Sequence, residues 1–303
     1  MAIITGTAAG DTIYLNNDPM NQFGLQDDPV AGLGGDDIIH TGAGNDILEG
    51  GDHDDTLSDG DGNDTVMAGT GNDVVYVDAG NDIYYGGSGI DTLHFAYIHS
   101  GSAGSEQVFF GIRFDLGSTA AQNLGEFGVD QFFGFEDVTA GFGDDTIFGS
   151  NGDNFIGNEG GNDLLDGRGG NDILWGAVGA ETFVGGLGQD DIFAGAGAAD
   201  TSRDIVRYES LKESGTTATT RDEIFHFTKG QDKIDLSKLD ANLGLKGNQA
   251  FKVVKGFTKA FGEVKLVKSG ADTIVQIDGD KDKAVDMTFI VFGAHLTKGD
   301  FIL

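Results

Sequence analysis

GLGGDDIIH-TGAGNDILE-GGDHDDTLS-DGDGNDTVM-AGTGNDVVY-VDAGNDIYY-GGSGIDTLH is the run from Gly32 to His94, divided into nines. No insertion breaks it. The sixth place is always Asp: Asp37, Asp46, Asp55, Asp64, Asp73, Asp82 and Asp91. The eighth is always apolar: Ile39, Leu48, Leu57, Val66, Val75, Tyr84 and Leu93. Glycine crowds the first four places. A disordered Gly/Asp tract has no reason to keep such a period.

The unit has a physical reading. Places six to nine form a very short strand with the eighth side chain pointing inward. Places one to five form a turn, where glycine supplies positive φ and close backbone approach. Two nonapeptides complete a coil of about 18 residues, so turns two units apart stack on one edge. A cation between stacked turns meets backbone carbonyls and sixth-place carboxylates. Such hard oxygen donors suit Ca²⁺ better than the stricter octahedron of Mg²⁺. The expected pairs are Asp37 with Asp55, Asp46 with Asp64, Asp55 with Asp73, Asp64 with Asp82, and Asp73 with Asp91.

Composition agrees. The 303 residues carry a formal charge of −32, with 52 glycines and only 2 prolines. Like charges in that number swell a compact chain unless a cation neutralises them. No basic patch is present to meet phosphate, so a nucleic-acid partner is not expected. The 6 histidines show no ligand or triad spacing, and cysteine is missing altogether. No disulfide or zinc-thiolate reading is open. The first residues, MAIITGTAAGDTIYL, lack the basic and apolar regions of a Sec signal, and no run is long enough for a membrane-spanning helix.

Residues 1–31 read as a worn entry to the coil, since Asp11 and Ile13 keep the repeat order and Asp28 and Val30 fall in phase. The bonds Asp18-Pro19 and Asp28-Pro29 read as ordinary turns. Residues 95–139 break the count and are rich in Phe, expected to serve core packing. Nines resume over 140–193, with Asp145, Asn154, Asp163, Asp172, Glu181 and Asp190 in sixth place. Asn154 and Glu181 make the pairs Asn154 with Asp172 and Asp163 with Glu181 doubtful sites; Asp145 with Asp163 and Asp172 with Asp190 look intact. His53, Val77 and Asp78 replace turn glycines and imply remodelled sites. AGAGAADTS (194–202) reads as a small-residue hinge. Beyond it glycine falls and period-2 strands appear in FKVVKGF, GEVKLVK, DTIVQID and MTFIVFG. Asp278, Asp280 and Asp282 have the spacing that opens an EF-hand loop, but Phe289 stands where the closing Glu belongs, so a turn is expected.

The nonapeptides resemble the RTX (repeats-in-toxin) family of secreted proteins. Residues 203–303 resemble the C-terminal domain of serralysin-type proteases. The matching stretches are Arg221 to Phe227, Gly230 to Ser237, Asp278 to Asp286, and the ending Asp300-Phe301-Ile302-Leu303. The resemblance implies an uncleaved type I secretion signal at the C-terminus and passage through the type I machinery. The protease itself is not expected, because H-E-x-x-H is missing, and no G-x-S-x-G marks a lipase.

The fold expected is all-β: a right-handed parallel β-roll (a β-helix solenoid) over 1–202, then a strand-rich secretion domain over 203–303. The candidate Ca²⁺ ligands are Asp37, Asp46, Asp55, Asp64, Asp73, Asp82, Asp91, Asp145, Asp163, Asp172 and Asp190. The function expected is a secreted calcium-binding protein, not an enzyme, that folds on Ca²⁺ outside the cell and acts at a surface, in a matrix or on a host. Three alternatives stand beside it. One is a polysaccharide-binding module similar to those of alginate epimerases. The second is a polysaccharide-active β-helix enzyme. A membrane-active role is the third, and it lacks the amphipathic helix it needs.

Overall fold

The computed structural model describes residues 4–14, 27–95, 97–100, 104–107, 110–195, 200–241 and 249–303. Asp18-Pro19, Phe109 and residues 196–199 of the expected hinge lie outside them. The chain divides into two compact units, residues 1–145 and 146–303. Among the described residues there is no α-helix, only a 3-10 turn at Lys298–Asp300.

Between residues 29 and 94, places seven to nine pair in parallel with the same places eighteen residues on, and longer steps join the rungs at either end. One ladder runs Thr12–Tyr14, Ile38–His40, Thr56–Ser58, Val74–Tyr76, Thr92–His94 and Asp137–Thr139. The facing ladder runs Ile4–Thr5, Pro29–Gly34, Ile47–Asp52, Thr65–Thr70, Ile83–Ser88 and Val129–Phe133. In-register pairing stacks like on like. Ile39 meets Leu57, Leu57 meets Val75, and Val75 meets Leu93. On the facing ladder Val30, Leu48, Val66, Tyr84 and Phe132 form the matching column. Both columns are buried and make the thin core. Seventh and ninth places alternate outward, as the strand period demands.

One expectation needs correcting. The two halves of a coil are not alike. On the facing ladder the strand continues through places one to three of the next unit, giving six-residue strands such as Ile47–Asp52 and Thr65–Thr70. There Gly32, Gly50, Ala68 and Gly86 let neighbouring backbones keep pairing, as Gly51 does with Gly69 and Gly69 with Gly87. On the other edge Thr41, Asp59 and Val77 hold the first place, and the chain turns at once.

The coil resumes inside the Phe-rich stretch 95–139, not after it: Gln131 pairs with Ile83 and Val138 with Leu93, so Val129–Phe133 and Asp137–Thr139 are ladder strands. Phe95, Phe114, Phe127 and Phe132 are buried and meet edge to face, with Phe114 and Phe132 5.1 Å apart at 85°.

In the second unit one ladder runs Thr146–Phe148, Leu164–Asp166, Thr182–Val184, Ile205–Arg207, Lys233–Asp235 and Phe301–Ile302. The other runs Phe155–Gly157, Ile173–Trp175, Asp191–Phe193, Asp222–Phe225 and Met287–Val291. Parallel pairing therefore continues past residue 202. Beyond Met287–Val291 the sheet turns antiparallel through Asp272–Asp278 and Glu263–Ser269, and ends on Lys252–Val254.

Candidate metal centres

The sixth-place carboxylates are buried, not turned to solvent: Asp37, Asp46, Asp55, Asp64, Asp73, Asp82, Asp91, Asp145, Asp163, Asp172 and Asp190 all lie inside the turns. In most of them Oδ1 has the same task. It accepts the backbone N–H of the sixth residue one coil earlier. Asp37 N–H donates to Asp55 Oδ1 at 2.8 Å, Asp55 to Asp73 at 2.8 Å, and Asp73 to Asp91 at 3.0 Å. Along the other edge Asp28 donates to Asp46, Asp46 to Asp64, and Asp64 to Asp82, at 2.5–2.7 Å. Every expected pair in the first repeat block is thus brought together. Asn154 donates to Asp172, and Asp172 to Asp190, in the same way.

The second oxygen is left over. Oδ2 of Asp37, Asp46, Asp55, Asp64, Asp73, Asp91, Asp172 and Asp190 is buried with no hydrogen-bond partner. An ionised carboxylate oxygen buried without a partner is costly. Its surroundings show what it faces. A side-chain carbon on Gly32 would collide with Asp37 Oδ2 and with the Gly50 carbonyl oxygen. One on Gly50 would meet Asp55 Oδ2 and the Ala68 carbonyl, and one on Gly167 would meet Asp172 Oδ2 and the Gly185 carbonyl. The first-place glycine therefore keeps open a cradle rimmed by a bare carboxylate oxygen and the next coil's carbonyl. Its donors are all hard oxygens, which fits Ca²⁺.

Burial pushes Asp46, Asp55, Asp64, Asp91, Asp172 and Asp190 up, against the pull of the backbone N–H of the preceding coil. Asp46 and Asp91 reach about 6, Asp55 about 7, Asp64 about 8, Asp172 about 8 and Asp190 about 6. Only a proton or a cation relieves that burial cost. Arg113 is the first Lys or Arg of the chain, so residues 1–112 supply no such cation themselves.

Departures from the repeat remake the sites. Asn158 donates its amide to Asp163 Oδ2, and Asp145 Oδ1 accepts the Ile112 N–H at 2.8 Å. Glu181 is fully buried with both oxygens unpartnered, and burial pushes it up to about 9. Its N–H donates to Asp204 Oδ1 at 3.0 Å, and its carboxylate gathers with Asp200 and Asp204 within 4.8 Å. The cluster in the C-terminal turn is Asp278, Asp280 and Asp286, not Asp282. Asp278 accepts from the N–H groups of Asp280, Lys281 and Lys283, while Asp282 accepts from Ala284.

Four further residues hold the sixth place outside the two unbroken runs of nonapeptides. Asp130 accepts from Asp82 N–H at 2.9 Å, Asp204 from Glu181, Asp222 from Asp190 at 3.1 Å, and Asp232 from Asp204 at 3.1 Å. The detectable signal is an Asp two residues before a core apolar: Asp130 and Phe132, Asp204 and Val206, Asp222 and Ile224, Asp232 and Ile234.

Comparison with known proteins bears on these sites. Residues 125–303 match the family described as Peptidase M10 serralysin C terminal. Residues 31–58 and 58–93 match the RTX calcium-binding nonapeptide repeat. A serralysin of Photorhabdus sp. (strain Az29) is 37% identical over 102 residues, 32% of this chain and 20% of that protein, so the match spans about a fifth of the relative's length. A solution structure of a subunit of the Azotobacter vinelandii mannuronan C5-epimerase aligns over 64% of this chain and 80% of its own, at 18% identity and a TM-score of 0.27.

Proposed function

Because this chain belongs to the serralysin C-terminal family and carries the calcium-binding RTX repeat of type I secreted, extracellular proteins, we propose that it is a calcium-gated folding scaffold without catalytic activity of its own. The carrying observation is the row of buried, unpartnered Oδ2 atoms, those of Asp37, Asp55, Asp91, Asp172 and Asp190 facing cradles lined by first-place glycines. Asp37, Asp46, Asp55, Asp64, Asp73, Asp82, Asp91, Asp145, Asp163, Asp172 and Asp190 are the ligands in this reading, with Asp130, Asp204, Asp222 and Asp232 extending the series. Where free calcium is scarce, the acidic coils repel and the chain stays open for export. Outside, calcium at roughly 10⁻⁴ to 10⁻³ M suits sites of this kind. Ion binding then supplies the folding free energy. The folded roll serves at a cell surface, in a matrix or against a host. Circular dichroism titrated with Ca²⁺ tests the reading. A coil-to-β transition is expected with Ca²⁺, not with equal Mg²⁺, and reversed by EGTA. A full β spectrum persisting in EGTA at pH 7.5 or above would remove it.

Polysaccharide binding is the second reading, favoured by one surface feature. Trp175, Phe193, Phe225 and Phe292 stack 4.7–4.8 Å apart along the outer face of the second unit. Trp175 is 38% exposed and pairs with Gly157, which offers no side chain to cover it. Such a platform suits sugar rings. Retention on an immobilised glycan in calcium, lost in Trp175→Ala and with chelator, is the expected sign. Equal elution of both proteins counts against it.

A further inference from the structure

The edge that lacks first-place glycines contains one group the repeat does not account for. Asp59 stands where Gly32 and Gly50 stand on the opposite edge, and it is fully buried. Its side chain meets two sixth-place carboxylates, Asp64 of its own unit and Asp82 of the next coil; the three offer oxygens that all lie within 4.8 Å of one another. Their neighbours at first place are different: Thr41 donates its hydroxyl to the Asp59 carbonyl at 2.7 Å, and Val77 is an apolar plug.

Most oxygens of the trio are spoken for. Asp64 Oδ1 accepts Asp46 N–H, and Asp82 Oδ1 accepts Asp64 N–H. Tyr84 occupies the inward eighth place, where the other units of the run carry an aliphatic. Its hydroxyl lies 2.9 Å from Asp59 Oδ2 and 3.3 Å from Asp82 Oδ2. Asp78, a fourth buried acid, accepts Ser58 Oγ–H at 2.8 Å and Gly60 N–H at 3.1 Å. Two oxygens remain over. Asp59 Oδ1 and Asp64 Oδ2, on side chains 0% and 2% exposed, have no hydrogen-bond partner. Three carboxylates converge, two of their oxygens are bare, and no Lys or Arg precedes Arg113 to neutralise them. Burial without compensation is what the interior does not tolerate.

We propose that Asp59, Asp64 and Asp82 form a Ca²⁺ site of their own inside the first unit, distinct from the glycine-lined cradles and filled before them. The inference rests on the calcium-gated reading above. The third carboxylate raises the charge of the ligand set, the variable that tunes affinity in oxygen-ligand calcium sites. Tyr84 is a positioning residue: its hydroxyl holds Asp59 Oδ2 and Asp82 Oδ2, leaving Asp59 Oδ1 and Asp64 Oδ2 to face the ion. The early ion ties the coil that carries Asp59 to the next, so folding of the unit starts there.

Asp59→Gly is the decisive variant, because it returns the position to the residue the repeat uses elsewhere and keeps the fold. The full chain is titrated with Ca²⁺, and separately with Tb³⁺ while exciting tyrosine, since Tyr84 lies against the site. The wild type is expected to show an early, tight step with sensitised Tb³⁺ emission. Asp59→Gly is expected to fold in calcium but lose that step, its tightest affinity falling by about tenfold or more. Tyr84→Phe is expected to keep the early ion while losing most of its emission. Identical affinities and ion counts in wild type and Asp59→Gly overturn the site. If neither protein binds calcium or folds with it, the calcium-gated reading fails instead.

Discussion

Stripped of divalent ions at pH 8, the chain is expected to be unfolded, and to regain β-sheet circular dichroism as the pH falls towards about 5. The sign follows from burial. In the ion-free fold Asp46, Asp91 and Asp190 are pushed up to about 6, Asp55 to about 7, and Asp64 and Asp172 to about 8, against 3.8 for the free group. The folded state therefore binds more protons than the unfolded one between these limits. Such groups contribute stability that is complete below the unfolded value and lost as pH rises through about 6 to 8. A tenfold difference in proton affinity between the folded and unfolded states is worth about 1.4 kcal/mol. Several such groups share one ladder, so a full transition is expected. Asp235 and Asp300 oppose it at the acid end. Their carboxyls, despite partial burial, are drawn down by donors from Ser237 and Arg207, and from Thr297 and Gly230. That stability is present above the unfolded value and lost as pH falls through the lowered one, so these two groups work against the refolded state at the acid end. Calcium needs ionised ligands, so calcium and protons fold the same chain as alternatives. A β signal that only declines on acidification in EGTA would contradict this account of the interior.

Asp55→Ala is the second large effect, and Asp54→Ala is its control. Asp55 accepts Asp37 N–H at 2.8 Å, donates its own N–H to Asp73 at 2.8 Å, and points Oδ2 into the Gly50 cradle. Truncation leaves Asp37 N–H buried without an acceptor and removes a ligand where two stacked turns meet. The lost charged hydrogen bond alone costs about 1.5–3 kcal/mol. Asp54 is exposed and its Oδ1 accepts only Asn72 N–H, at 2.7 Å, so its loss costs about 1 kcal/mol. Bound calcium counted after equilibrium dialysis should fall for Asp55→Ala and hold for Asp54→Ala, with the calcium midpoint of folding raised about tenfold in the first only. Equal ion counts in the two variants would show that Asp55 is no ligand.

Period nine makes the ladder legible from the residues alone. It fixes which of them face inward, because Leu57, Val75 and Leu93 can stack only if turns repeat every eighteen residues. It also places the acids, though not their geometry. Nothing in the pattern says that Oδ1 serves the backbone while Oδ2 stays bare; that follows from the strand spacing, which brings one coil's N–H to the next coil's carboxylate. The asymmetry of the edges is written in Thr41, Asp59 and Val77 against Gly32, Gly50 and Gly86, yet a consensus averages over it. Asp204 and Asp222 escape because their turns carry other residues in place of glycine, whereas Asp130 and Asp232 keep turn glycines, Gly125 and Gly128 before the first and Gly230 before the second, but stand out of the unbroken count of nines. Only an Asp two places before a buried apolar betrays them, and that spacing is common in any sequence. Asp200 sits in a stretch that reads as a hinge, because its partners Glu181 and Asp204 come together only when the strand Ile205–Arg207 docks on Thr182–Val184.

The antiparallel close of the second unit has a consequence for solubility. An in-register parallel stack is a template, since its last strand offers unpaired backbone groups to any copy that arrives. Here one of the two ladders of the second unit is stopped by a reversed hairpin, Glu263–Ser269 with Asp272–Asp278, while the other ends on the short parallel strand Phe301–Ile302. The strand beyond the hairpin, Lys252–Val254, pairs in parallel with Glu263–Ser269, is three residues long and carries an exposed cation at Lys252, with Lys255 beside it. Short length and positive charge discourage a second chain from adding itself. That edge of the second unit is thereby a poor template for another copy, even where calcium is abundant.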